Sequence, residues 1–108
     1  EHRADQCRDR AQDRPAGVTP PTDVVETLLA LPDGGMQGRA FGQRYLATKD
    51  SYCAGRALKF VAQELGGPDY ISLNLYLLTS GAQLFPCEMP AAKVMAFLQA
   101  FQTDTKKI

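Results

Sequence analysis

Few side chains in this sequence carry the chemistry of catalysis, and the clearest of them is a thiol. Cys87 sits in "FPCEMP", three residues before a proline suited to a helix start. The positive end of a helix lowers a thiol's pKa and favours the nucleophilic thiolate. Glu88, next in the chain, acts in the opposite sense, and small cysteines at strand ends are commonly structural. Cys87 is therefore the one reactive-thiol candidate, weighed against a plain packing role. Acid–base work by carboxylates is left to Glu64, Asp69 and Glu88. A histidine base needs a histidine inside the fold, and the single one is His2, near the N-terminal end. No catalytic residue is assigned on this basis. No phosphate loop, dinucleotide fingerprint, EF-hand loop or zinc-ligand spacing occurs, so neither a metal nor a cofactor is expected.

The cysteines also bear on compartment. Cys7, Cys53 and Cys87 are odd in number and widely spaced, which is not a disulfide framework. The reading is a reducing, cytoplasmic environment. The strand pattern derived below sends Cys53 and Cys87 to opposite ends of a sheet, beyond bridging distance. Both are expected as free thiols.

A second group of side chains suits binding. In "PDYISLNLYLL", Ile71, Leu73, Leu75 and Leu77 alternate with Tyr70, Ser72, Asn74 and Tyr76. The first set belongs in a core. The second carries amphipathic rings, a hydroxyl and an amide, with Lys59 and Gln63 expected beside it from the neighbouring strand. Three accounts stand open: a half-exposed sheet face, a face covered by the N-terminal helix, or a recognition surface. The candidate binding residues are Tyr70, Ser72, Asn74, Tyr76, Lys59 and Arg44.

The elements that must position these groups follow from pattern. Residues 1–21 mix Arg and Asp, lack an apolar face and end in prolines, which reads as a mobile charged arm and linker. Glu1 in place of Met marks the chain as processed or as a fragment. "TDVVETLLALP" predicts a short helix, capped at Thr22 or Asp23 and ended by Pro32. From residue 36 to 89, glycines at 42, 55, 66–67 and 81 punctuate segments of strand length. Residues 55–66 fit a helix as well as a strand, and strand is preferred because the flanking turns have hairpin length. Pro90 opens a second helix whose stripe is Val94, Phe97, Leu98 and Phe101, the natural cover for the apolar side of "ISLNLYL".

The fold class is therefore α+β. An antiparallel β-meander of four to five strands carries a C-terminal helix packed on one face and a short N-terminal helix. One domain spans residues 22–103, with residues 104–108 as a tail. The layout of "YISLNLYLLTSGAQLFP" followed by "KVMAFL" resembles that of single-stranded DNA-binding domains of the positive cofactor four type. The resemblance covers about forty residues and is one of fold layout, from which no binding residue is carried over; single-stranded nucleic-acid binding, read from the residues themselves, would run through Tyr70, Tyr76, Lys59 and the arginines of the first hairpin. The lysine-rich charge usual in such domains is missing, since 12 basic residues balance 12 acidic ones. No apolar run reaches the length of a membrane span. The leading expectation is a non-enzymatic binding or interaction module with a protein partner or a second copy. Nucleic-acid binding is the alternative, and a thiol-dependent redox protein at Cys87 stands third.

Overall fold

The structure, a computed structural model, describes residues 17–104. The expected arm up to residue 16 and the tail from 105 to 108 lie outside the described residues. Within them, one six-stranded antiparallel sheet carries two helices. The elements run α1 (Thr22–Ala30), β1 (Gly34–Ala40), β2 (Gln43–Tyr52), β3 (Ala57–Glu64), β4 (Tyr70–Leu78), β5 (Gly81–Pro86), α2 (Ala91–Ala100) and β6 (Gln102–Thr103). The strand order β5-β4-β3-β2-β1-β6 is a meander extended by one added strand. The ambiguous segment is a strand, paired through Ala62↔Ile71 and Leu58↔Leu75 on one side and Ala47↔Ala62 on the other.

Period-2 alternation sorts the side chains. Ala62, Ile71, Leu73, Leu75, Phe60 and Leu58 are buried on one face, where they meet Val94, Phe97, Leu98 and Phe101 of the C-terminal segment. Leu77 is half-buried at the margin of the same cluster. Aromatic contacts bind this layer: Tyr45 meets Phe97 edge-on with centroids 4.9 Å apart, and Phe97 stacks on Phe101 at 5.1 Å. Gly38 lets the last strand close on this core. A Cβ there would stand 2.5 Å from the Gln102 carbonyl oxygen and 2.7 Å from the Phe101 ring.

Several expectations need correction. Val24 and Leu28 of α1 enter the same core as α2, so both helices lie on one face and α1 does not cover the tyrosine side. No side chain caps α1: Pro21 is its N-cap, and its carbonyl accepts from the Val24 and Val25 amides. Asp23 instead accepts a hydrogen bond from Gln99 at 3.4 Å, joining the two helices. β1 begins at Gly34, two residues after Pro32. The C-terminal helix ends at Ala100, before the last member of its expected stripe, because Phe101 turns into the core and Gln102 pairs with Arg39. Val18, placed in a linker, forms a bridge with Leu84 on the outer edge of β5. No helix among the described residues is long and apolar enough to cross a membrane.

Candidate functional site

The outer face of the sheet, opposite the helices, changes character along its strands. In the row nearest the β1–β2 hairpin, Leu46, Gln63 and Tyr70 stand side by side across β2, β3 and β4. Thr48, Val61 and Ser72 form the next row. Asp50, Lys59, Asn74 and Phe85 form the third. Tyr76 lies beyond it, beside Ala57 and Gln83.

The six candidate binding residues therefore do not share one environment. Tyr70 and Lys59 are exposed and Ser72 is half-buried. Asn74 is buried, and its amide donates to the Cys87 sulfur at 3.6 Å. Tyr76 is fully buried against Phe85, its hydroxyl without a hydrogen-bond partner among the described residues. Arg44 is exposed but engaged, forming an ion pair with Asp104 and donating to Gln37 at 3.3 Å.

The hairpin end collects what the sequence did not flag. Among the described residues five large hydrophobic side chains are exposed, and four of them, Phe41, Leu46, Leu65 and Tyr70, belong to this end. Leu65 follows β3, and its amide donates to the Arg44 carbonyl at 2.9 Å, which brings the β3–β4 turn against the start of β2. A shallow open groove of about 600 Å³ runs here, lined by Leu46, Gln63, Leu65 and Pro68 among others. Phe41 stands at the hairpin tip, 64% exposed, with φ 55°. A two-residue turn with both φ angles positive favours Asn-Gly, and here Phe41 precedes Gly42 at φ 75°. An aromatic ring held in the left-handed region and bared to solvent is a local cost that the fold does not require.

At the flank of this end three titratable side chains meet. The Tyr45 hydroxyl donates to Asp69 Oδ2 at 2.9 Å, and Lys93 Nζ sits 2.7 Å from Asp69 Oδ1. Lys93 also lies 5.8 Å from the centre of the Tyr70 ring. Burial and the Asp69 carboxylate push the Tyr45 phenol up to about 12. The Lys93 ammonium and the Tyr45 hydroxyl hold Asp69 below its usual range. At neutral pH the phenol keeps its proton and the carboxylate stays charged, so the group fastens α2 to the sheet. It is not poised for proton transfer. Of the carboxylates named from sequence, Glu64 accepts from the Asp69 amide at 3.3 Å, and Glu88 is exposed. Among the described residues no three His, Cys, Asp or Glu side chains converge as metal ligands.

Cys87 is a free, half-buried thiol whose backbone amide donates to the Ser72 carbonyl. The helix that follows has Pro90 as N-cap, so Cys87 precedes its first turn. Cys53 overturns the expectation of two free thiols: it is disulfide-bonded, in the turn after β2. It does not bridge to Cys87, which is free. No protein-family model, curated protein or solved structure matches this chain, and the likeness of layout to single-stranded DNA-binding domains assigns no family.

Proposed function

We propose that the chain is a small non-enzymatic interaction module that binds a second copy of itself through the hairpin end of its sheet. The observation that carries the reading is the gathering of Phe41, Leu46, Leu65 and Tyr70, four of the five large exposed hydrophobics, at one end. Scattered apolar residues need no explanation, whereas a grouped set beside a groove suits a contact surface. A formal net charge of zero leaves little repulsion between copies. On the same face Lys59 stands opposite Asp50 and Arg44 is paired with Asp104, so charges of both signs border the patch, which suits a surface that meets itself about a twofold axis. Nucleic-acid stacking is less well supported, because the Tyr76 ring is buried and Arg44 is held by Asp104.

Sedimentation equilibrium over a wide concentration range tests this. The native chain should pass from monomer to dimer. Phe41→Asn, which suits the positive φ, and Leu46→Glu should each hold it monomeric with thermal unfolding preserved. A native chain that stays monomeric throughout, or association that survives both substitutions, overturns the reading.

A further inference from the structure

The hairpin end holds a projecting ring and, beside it, a groove that no aromatic side chain lines among the described residues. Phe41 is 64% exposed at the β1–β2 tip, so its ring stands clear of its own fold. Its backbone takes φ 55° and that of Gly42 takes 75°, a turn in which Asn-Gly would relieve the strain. The groove lies between the start of β2 and the β3–β4 turn. Leu46 and Leu65 are its apolar walls, 49% and 44% exposed, with Pro68 beside them. A Cβ at Gly66 would meet nothing within 4 Å, so the backbone there is open to an incoming group. The hydrogen bond from the Leu65 amide to the Arg44 carbonyl holds the turn against β2 and keeps the groove formed.

We propose, resting on the self-association inferred above, that Phe41 of each copy seats in the Leu46–Leu65 groove of the other, so that two identical contacts close the dimer. Ring and groove sit at the same end of one chain. A twofold rotation therefore satisfies both at once, whereas a ring and groove at opposite ends would string copies into an open filament. Charge agrees with the match. Arg39 is exposed on the hairpin that bears Phe41, Glu64 lines the groove against Gly67, and no ion pair among the described residues holds either. Seating the hairpin brings this guanidinium toward the carboxylate of the other copy. An aromatic side chain presents about 150–250 Å², so the exposed parts of Phe41 and Tyr70 supply roughly 200 Å² per copy, against about 800 Å² per partner in a stable interface. A contact centred on so small a patch gives a reversible dimer with the two seated rings as its hot spots.

Two singly substituted chains, each unable to pair with itself, test the seating when they are mixed. Phe41→Lys brings a cation to an apolar groove, and Leu65→Glu spoils the groove for a ring. By sedimentation equilibrium each alone should associate at least about tenfold more weakly than the native chain. Their equimolar mixture should regain a dimer, with a native ring in a native groove on one side and opposite charges on the other. The reversed pair, Phe41→Asp with Leu65→Lys, should do the same, and it serves if either first variant unfolds. Mixing Phe41→Lys with Phe41→Asp should restore nothing, since both native grooves then face a charge. A dimer restored by this last mixture means that the two tips meet each other, which overturns the seating and leaves self-association standing. No dimer in the first two mixtures, undiminished association of Leu65→Glu alone, or native oligomers larger than two also overturn the seating. A native chain that never associates removes the self-association reading itself, and the seating with it.

Discussion

Tyr45 is where burial, hydrogen bonding and charge act on one atom. Its phenol is pushed up to about 12 by burial and by the Asp69 carboxylate that accepts its proton. A raised pKa means the fold prefers the neutral phenol. Its stabilising contribution is fully present below the unfolded value near 10 and is lost as pH climbs toward 12. Urea midpoints followed across that alkaline range should fall for the native chain and fall less for Tyr45→Phe. Asp69 has the opposite sign: held low, it contributes above its ordinary pKa of 3.8 and stops contributing as acid protonates it. Of this trio, sequence alone singled out only Asp69, as a carboxylate. Tyr45 lies 24 residues before it and Lys93 sits on another element, so only folding brings them together.

At the scale of elements, Lys49 ties α1 to the sheet. It faces the buried side of β2, 4% exposed, in line with Tyr45 and Ala47. Its ammonium donates to the Leu29 and Leu31 carbonyls at 3.2 and 2.7 Å, at the C-terminal end of α1, where a cation is favoured. Lys49→Met keeps the length of the side chain but leaves both carbonyls without this donor. It should destabilise the fold by about 1 to 3 kcal/mol, read from denaturant unfolding. Lys49 alternates in step with Tyr45 and Ala47 along β2, yet nothing local to "LATKD" shows that it is buried or which carbonyls receive it. The same limit explains β6. The helical stripe through Phe101 was legible, but the end of the helix was decided by Phe101 packing beside Gly38 and by Gln102 meeting Arg39.

For the whole molecule, the disulfide at the buried Cys53 adds a covalent constraint to the packing of the core. Urea unfolding with and without reductant should show a lower midpoint in the reduced protein, with strand and helix content still native below the transition. An unchanged midpoint would mean that the bond does not constrain the unfolded chain.

Alternation and helical spacing settled, by sequence alone, the α+β class and most of the large side chains of the main core; for residues 55–66 they fitted helix and strand alike, and only the hairpin length of the flanking turns favoured the strand. These follow from local backbone geometry, a pleat of period two and a helix of period 3.6, which each segment carries within itself. What lies opposite each face depends on where distant segments return, which no local pattern encodes. The tertiary structure alone decided that both helices take one side, that Tyr76 is buried while Phe41 and Leu46 are bare, and that Cys53 is paired.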